Sequence, residues 1–293
     1  MDAVITYVDG NDPVWKQDYE KTTNVPVMEK RFRDWGTLKY LLRGIEAKMP
    51  FIRNVYLVVS HPSQVPEWAD REQLKIVLHK DIIPAEFLPT FNCNPIEMHL
   101  HRIPGMDEEY IYFNDDMFPV GDCRPTDFFR DGRPVIGYYT HLFASGMYKK
   151  ICRNSDRLAR KALGMKPSCF FTRPQHICSP MLKSQCEELY AKVEDEIRKT
   201  SATRTRTEEN LNQYLFLDYM NYKGLVIREK ISNKHFSVAV ASPDSLRDFL
   251  HNPTRNLVCI NDVRLSEERY EQLRGAILDA FQSTFPSKSR FEL

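Results

Sequence analysis

Short, nearly continuous apolar runs recur along the chain and end in polar residues. Residues 2–8, 54–60, 75–79, 109–113 and 256–260 are rich in β-branched and aromatic side chains. Runs of this length and composition are typical of strands that are buried on both faces of a parallel or mixed sheet. The pattern therefore predicts five strands at these positions.

Helical periodicity lies between these runs. Apolar residues recur at spacings of three and four from Trp35 to Met49; Asp34 is expected to cap this helix and Pro50 to end it. Other helix starts are predicted from capping residues or an early proline: Asn94-Pro95 (to Arg102), Ser179-Pro180, Thr207 (to about Tyr222) and Ser266.

Strands alternate with helices over residues 1–116, and this order predicts an α/β fold with a Rossmann-like, mixed or parallel sheet flanked by helices. Residues from about 125 to 255 are more helical and are expected to form a helical insertion or subdomain. Because no repeat or long linker separates independent parts, we predict a single domain over residues 1–293.

Three of the predicted strands end in carboxylate or amide side chains: Asp9, Asn11 and Asp12; Asn114, Asp115 and Asp116; Asn261 and Asp262. Ligands of open α/β sheets bind beyond the carboxyl ends of the strands. If these strands are neighbours with a common direction, the carboxylates converge and require a cation. Oxygen ligands without cysteine or histidine favour Mg²⁺ or Mn²⁺. The alternative is that each cluster is an ordinary turn, since Asn and Asp are common turn residues.

Charge and glycine content exclude several classes of protein. The 41 basic and 40 acidic side chains give a net charge of +1, which argues against a general nucleic-acid binder. The 11 glycines form neither a P-loop nor a dinucleotide-binding motif. One local exception is a basic segment, either a solvated helix face or a surface for an anionic acceptor or polymer. Its cationic residues are Lys149, Lys150, Arg153, Arg157, Arg160, Lys161 and Lys166.

The lengths of the apolar runs and the pattern of cysteines indicate in which cellular compartment the protein is expected. The longest uninterrupted aliphatic and aromatic run, residues 55–59, is far shorter than the ~20 residues of a membrane span. The N-terminus has no export signal, and the seven cysteines contain no C-x-x-C pair. We therefore expect a cytoplasmic protein without a transmembrane segment, and peripheral contact with a membrane is left open.

Two further polar positions are candidates for chemistry. His176 lies in a predicted loop, where an imidazole is suited to proton transfer near neutral pH. Arg206, together with Arg204, precedes the predicted helix start at Thr207. This position favours contact with phosphate oxygens.

These motifs resemble the conserved blocks of the Stealth phosphotransferases, a family that includes bacterial capsular polysaccharide sugar-phosphate transferases and the catalytic part of N-acetylglucosamine-1-phosphotransferase. The sequence ITYVDGNDPVW at residues 5–15 resembles the first block, although Tyr7 stands where the family usually has tryptophan. The other matched segments are residues 31–58, 88–105 and 112–116 for the second block, 174–176 and 206–210 for the third, and 259–262 for the fourth.

The resemblance implies a single catalytic domain that transfers a hexose-1-phosphate from a nucleotide sugar to a glycan hydroxyl. N-acetylhexosamine-1-phosphate is one such group, with UDP-N-acetylhexosamine as the leading donor candidate. The reaction would form a phosphodiester, release a nucleoside monophosphate and depend on Mg²⁺ or Mn²⁺. The implied catalytic residues are Asp116, His176, Arg206 and Asp262. Metal binding is assigned to Asp115, Asp116 and Asp262. Substrate binding is assigned to Asp9, Gly10, Asn11, Asp12, Arg43, Asn92, Asn114 and Asn261.

Two alternatives stay open from the sequence. A metal-dependent glycosyltransferase could use the same donor and release a nucleoside diphosphate, and a metal-dependent carbohydrate-binding module would consume no donor. The general base is also open between His176 and an aspartate, Asp115 or Asp116. The absence of membrane anchors and large inserts in the sequence favours a bacterial type of capsule or exopolysaccharide enzyme.

Overall fold

The computed structural model describes residues 1–23, 32–262 and 265–293. Arg31, the first residue of the second matched block, therefore lies outside the described residues. The strands in these ranges are β1 (Asp2–Thr6), β2 (Val55–Val59), β3 (Leu74–Leu78), β4 (Glu109–Asn114), β5 (Met117–Pro119), β6 (Phe129–Arg130), β7 (Arg133–Pro134), β8 (Tyr138–His141), β9 (Phe171–Pro174), β10 (Ser179–Leu182), β11 (Asn233–Ser237) and β12 (Leu257–Asn261).

Helices surround these strands. They are α1 (Pro13–Thr23), α2 (Leu38–Lys48), α3 (His79–Ile82), α4 (Cys93–Glu97), α5 (Gly146–Ala162), α6 (Lys183–Lys192), α7 (Glu194–Ser201), α8 (Tyr214–Tyr222), α9 (Pro243–His251) and α10 (Glu267–Thr284). Short 3₁₀ helices cover Pro62–Gln64, Ala85–Phe87, Leu100–Arg102 and Pro125–Asp127. None of the helices in the described ranges is long and apolar enough to cross a membrane.

The larger sheet has five strands in the order β10-β4-β1-β2-β3. Four of its strands are those predicted at residues 2–8, 54–60, 75–79 and 109–113. Strand β2 is buried along its whole length, as its unbroken apolar sequence requires. The predicted α/β class, with a mixed sheet flanked by helices, is confirmed.

The fifth predicted strand, at residues 256–260, is β12, and it belongs to a second sheet of order β11-β12-β5. β12 is parallel to β11 and antiparallel to β5, with Cys259 opposite Met117. β12 is therefore not in the sheet of β1 and β4, and the condition that the three polar-ended strands are neighbours with a common direction is not met for β12. The chain leaves β4 through a turn at residues 115–116, and the next strand, β5, pairs with β12 instead.

Two predicted helix starts are wrong because tertiary partners take the backbone groups that would form the first turn of each helix. Ser179 and Pro180 form β10, which is antiparallel to β4, and the helix begins only at Lys183. Residues 207–213 are not helical, since the N–H groups of residues 211, 212 and 213 donate to the side chains of Thr200, Ser155 and Glu97 rather than to carbonyls of a preceding turn. The helix there is α8, which starts at Tyr214.

The capping prediction is wrong for Asp34 and is confirmed for Ser266. Asp34 does not cap α2: its Oδ1 accepts the Gly36 N–H at 2.9 Å, and the residue before the helix is Thr37. Ser266 caps α10 as predicted, because its side chain accepts the Arg269 N–H at 3.3 Å.

The chain divides into two compact units. The first contains Met1–Val4, Val77–Tyr112 and Thr126–Ile231. In its helical part, α5 and α8 pack against β9, with Leu158, Phe171 and Phe216 buried. The prediction of one catalytic domain with a helical part over about 125–255 stays a prediction.

The second unit contains Ile5–Ile76, Phe113–Pro125 and Ser232–Leu293. Aromatic side chains of α2, β5 and α10 form its core: the ring of Phe281 stacks on Tyr40 at 5.5 Å and lies 4.7 Å from Phe118. Burial of such rings contributes a large share of core stability.

Candidate active site

Asp115 and Asp116 occupy the turn between β4 and β5, in the second unit. The Ile260 N–H of β12 donates to the Asp116 carbonyl at 2.9 Å and fixes this turn against the end of β12. Asp262 follows directly, and its Oδ2 accepts the Trp35 Nε1–H at 3.1 Å. Two of the predicted catalytic aspartates, which are 146 positions apart in the sequence, thus meet at the ends of two strands.

Burial and mutual repulsion disfavour the ionised forms of this acidic cluster, which we define as Asp34, Asp115, Asp116 and Asp262. Burial first, then the charges of Asp116, Asp34 and Asp262, raise the pKa of Asp115 to about 7. Burial likewise raises the pKa of Asp116 to about 6, although the Cys259 thiol, which donates to its Oδ2 at 3.5 Å, opposes the shift. Asp116 Oδ1 is buried and accepts no hydrogen bond from the described residues.

Tyr7 and Asp34 extend the cluster. The Tyr7 hydroxyl lies close to the Asp34 carboxylate, and burial, followed by that neighbouring charge, raises the pKa of Tyr7. Burial also raises the pKa of Asp34, while the positive charge of Arg274 opposes this shift. Tyr7, the departure from the family's usual tryptophan, therefore places a polar hydroxyl against the carboxylates.

The segment after β1 is held by its own polar groups. The Asp9 N–H donates to Gln64 Oε1 at 2.6 Å, and Gln64 Nε2 donates back to the Asp9 carbonyl at 3.1 Å. Asp9 Oδ1 accepts the Asn11 N–H at 2.8 Å, which forms a tight turn. Asp12 is buried and caps α1 by accepting the Trp15 N–H at 2.7 Å. The alternative view of this segment as a turn is therefore correct for its backbone.

Gly10 is required by a close approach of two chain segments. Its N–H donates to the Phe32 carbonyl at 2.9 Å, and a Cβ at this position would lie 2.2 Å from that oxygen. The neighbouring Asp9 charge raises the pKa of Tyr7, after the larger effects of burial and of Asp34. Residues 9 and 10 thus border the acidic cluster.

His176 lies in the first unit, among tyrosines. Its Nδ1 is 3.2 Å from the Tyr214 hydroxyl, at the start of α8, and its ring is 6.0 Å from the ring of Tyr148. The two tyrosine hydroxyls are hydrogen-bonded at 3.0 Å. The hydrogen-bonded hydroxyls of Tyr214 and Tyr148 therefore fix the Nδ1 edge of the imidazole.

Arg206 belongs to the same unit and is held by buried polar groups. Its Nη2 donates to Cys93 Sγ at 2.7 Å, and it lies within the electrostatic range of Glu97. Burial raises the pKa of Glu97 to about 7, although its Oε2 accepts the Gln213 N–H at 2.9 Å. Because Gln213 directly precedes Tyr214, the start of α8 contacts the surroundings of both Arg206 and His176.

The three asparagines predicted to bind substrate have different surroundings. Asn92 is buried, and its Nδ2 donates to Asn210 Oδ1 at 2.8 Å and to Thr203 Oγ1 at 3.0 Å. Asn114 and Asn261 are partly exposed at the last positions of β4 and β12. Asn92 therefore braces the loop that carries Arg206.

The guanidinium of Arg43 is hydrogen-bonded to groups inside the second unit. Its Nε and Nη2 donate to the two oxygens of Glu292 at 2.8 and 2.7 Å, and its Nη1 donates to the Phe285 carbonyl at 2.8 Å. Both charged side chains are buried. These contacts give Arg43 a structural role, and its assignment to the donor site stays a prediction.

The predicted site residues thus fall into two sets. The second unit holds Asp9, Gly10, Asn11, Asp12, Arg43, Asn114, Asp115, Asp116, Asn261 and Asp262; the first unit holds Asn92, His176 and Arg206. Sequence reasoning missed Trp35, Glu97 and Tyr214, and assigned Asp34 to a helix cap. Only a weak signal marked these residues in the sequence. Glu97 lies within a matched segment of the second block, whereas Trp35 and Tyr214 fit the apolar pattern of a helix.

Comparisons with known proteins agree with the resemblance. Residues 31–135 match the family model of Stealth protein CR2, conserved region 2. A capsular polysaccharide phosphotransferase, WcwK of Streptococcus pneumoniae, is 33% identical and aligns over 100% of this chain and 99% of its own length. The receptor polysaccharide phosphotransferase WefC of Streptococcus oralis is 32% identical over the same shares.

A solved structure of the galactosyltransferase LgtC, in complex with donor and acceptor sugar analogues, aligns over 94% of this chain and 96% of its own. Its TM-score is 0.43 and its sequence identity is 11%. Since relatives more than 30% identical match from end to end, the chain belongs to the Stealth family of phosphotransferase enzymes.

Proposed function

We propose that the protein transfers a hexose-1-phosphate, such as N-acetylhexosamine-1-phosphate, from a nucleotide sugar to a hydroxyl group of a glycan. The products would be a phosphodiester and a nucleoside monophosphate. The observation that carries the proposal is the half-buried acidic cluster beside the ends of β4 and β12, because such a cluster suits a metal-bound diphosphate. The names of the polysaccharide phosphotransferases to which the chain is similar support the same reaction class.

The cluster fits a hard divalent cation. Its donor atoms include carboxylate oxygens, a buried oxygen of Asp116 accepts no hydrogen bond from the described residues, and the raised pKa values are what a bound cation would reverse. We assign Asp115, Asp116 and Asp262 to hold Mg²⁺ or Mn²⁺. When bound, such an ion neutralises charge on the diphosphate and on the leaving nucleotide.

His176 is assigned to remove the proton of the acceptor hydroxyl. We assign the Tyr214 hydroxyl as the donor to the Tyr148 oxygen, 3.0 Å away. The Tyr214 oxygen then accepts the His176 Nδ1–H at 3.2 Å. In this tautomer the lone pair is on Nε2, which is the atom that takes the proton.

Arg206 is assigned to bind phosphate oxygens of the donor. Its guanidinium is kept in place by Cys93, and the buried carboxyl of Glu97 lies close enough to affect its charge. During transfer, the acceptor oxygen forms a bond to the sugar-bearing phosphorus while the bond from that phosphorus to the nucleotide breaks. Charge on the oxygens of the phosphoryl group is then stabilised by the guanidinium.

The products decide between this reaction and ordinary glycosyl transfer. The purified protein is incubated with Mg²⁺, a panel of nucleotide sugars and acceptor glycans, and the nucleotide is identified by chromatography. A nucleoside monophosphate together with a phosphodiester signal in ³¹P NMR supports the proposal; a nucleoside diphosphate and a glycoside overturn it. Asp116→Asn should lower the rate on the order of 100-fold. Asp248→Asn, at an exposed position of α9, is the matched control.

A further inference from the structure

Large apolar side chains are exposed beside the antiparallel β8–β9 strand pair in the first unit. The exposed fractions are 78% for Phe143, 53% for Phe170 and 44% for Leu142, and Met147 in the first turn of α5 is 37% exposed. Single exposed apolar residues are normal on a protein surface, whereas a local group of them marks an interaction site. We call Leu142, Phe143, Met147 and Phe170 the apolar patch.

The register of the β8–β9 strand pair brings these residues together. His141 pairs with Phe171 at the last position of the antiparallel β8–β9 ladder. Leu142 and Phe170 are the next residues outward on the two strands, so they leave the ladder at the same end. Phe143 follows Leu142, and α5 begins three residues later at Gly146. The patch is therefore a local surface rather than a set of scattered side chains.

Cationic side chains accompany the patch. Residues 139–173 contain eight lysines and arginines and one acidic residue, Asp156. Asp156 is buried and hydrogen-bonded to Thr172 and Arg160. It therefore leaves the surface charge of this segment positive.

Some of these cations are available to a ligand. In the described part of the chain, no carboxylate lies within ion-pair distance of Lys149, Arg157 or Lys166. Arg173 Nε donates to His141 Nε2 at 3.2 Å, beside Leu142, and Lys149 lies within electrostatic range of the same imidazole. Positive charge thus borders the exposed apolar side chains.

We propose that the apolar patch and its cationic border bind the surface of an anionic lipid bilayer. Aromatic and aliphatic side chains that enter the headgroup region, with lysine and arginine beside them, are the features that hold peripheral proteins on such membranes. A protein partner that matched only the positive charge would leave the exposed rings of Phe143 and Phe170 in contact with water. This inference goes beyond the proposed reaction and does not depend on it.

Vesicle flotation tests the inference with the full chain. Vesicles of phosphatidylcholine alone are compared with vesicles that contain about 30% phosphatidylglycerol at low salt. The protein should bind the anionic vesicles, and binding should weaken as ionic strength rises. Phe143→Ser with Phe170→Ser should reduce the partition coefficient about tenfold. Lys149→Gln with Lys166→Gln should reduce it about 25-fold, since each charge near the surface contributes about fivefold.

Two control variants remove similar groups elsewhere. Val240→Ser removes an exposed apolar side chain of the second unit, and Arg71→Gln with Lys80→Gln removes two exposed charges. Unchanged binding of both controls, with loss in both patch variants, supports the proposal. It is overturned if the native protein does not bind anionic vesicles, or if the patch variants bind as well as it does. Self-association in gel filtration that Phe143→Ser abolishes, without vesicle binding, also overturns it and assigns the patch to a protein interface.

Discussion

Replacing Asp115 by asparagine should stabilise the cation-free protein while it impairs the proposed reaction. The fold raises the pKa of this carboxyl from 3.8 to about 7, mainly through burial and the adjacent Asp116 charge. That difference corresponds to about 4 kcal/mol against the ionised form well above neutral pH. Because Asp115 keeps some exposure to solvent, we expect roughly half of this, about 2 kcal/mol. For a chain of this size the gain is about 4 °C in Tm.

The stability difference between Asp115→Asn and the native protein depends on pH, and its direction follows from the raised pKa of Asp115. A carboxyl whose pKa is raised by folding binds more protons in the folded state between about pH 4 and pH 7, so the stability of the native protein falls over that interval. The stabilising contribution of the protonated Asp115 carboxyl is fully present below about pH 4 and is lost above about pH 7. Asp115→Asn has no such loss. Its advantage in Tm should therefore be small at pH 4, grow through pH 6 and be complete by pH 8.

Thermal unfolding followed by circular dichroism, in buffers with a chelator, measures this advantage. Asp248→Asn, an exposed aspartate in the same unit, should shift Tm by less than about 1 °C at every pH. Added Mg²⁺ or Mn²⁺ should raise the Tm of the native protein more than that of Asp115→Asn, which narrows the difference. If Asp115→Asn is no more stable than the native protein at pH 8 without cation, burial and carboxylate repulsion do not destabilise the ionised form of this turn.

Three other substitutions test separate parts of the structure. Tyr214→Phe should lower kcat about tenfold with little change in the donor KM, because the phenol orients His176; an unchanged kcat in steady-state kinetics would remove the tyrosine from the mechanism. Glu292→Gln should cost about 3 kcal/mol in urea unfolding, since Arg43 then stays buried without its anionic partner; a cost below about 1 kcal/mol would contradict a buried pair. Gly10→Ala should cost about 2 kcal/mol, because its Cβ would meet a carbonyl oxygen at 2.2 Å, and an unchanged unfolding midpoint would contradict that contact.

The strands could be predicted because burial on both faces leaves an unbroken apolar sequence, as in β2. The β10 strand could not be predicted from the sequence in this way. Ser179-Pro180 has the local form of a helix start, and only pairing with β4 makes it a strand. Proline is tolerated there because β10 is at the edge of the sheet, where an N–H is not needed on the outer side.

The acidic part of the candidate site was predictable in residue type but not in its surroundings. Asp115 and Asp116 stand out because two carboxylates follow a buried strand. Trp35 and Tyr214 do not, because both fit the apolar pattern of a helix. Their importance comes from contacts with Asp262 and His176, which are 227 and 38 positions away. Such separations leave no local trace in the sequence.

The bond between Arg43 and Glu292 also has a consequence for biosynthesis. The two residues are 249 positions apart, so the helix that carries Arg43 emerges from the ribosome long before its buried partner is translated. Until then, its charged guanidinium has no place in an apolar interior, and closure of so long a loop is slow. We therefore expect the second unit to mature late, with its nascent N-terminal portion dependent on chaperones to avoid aggregation.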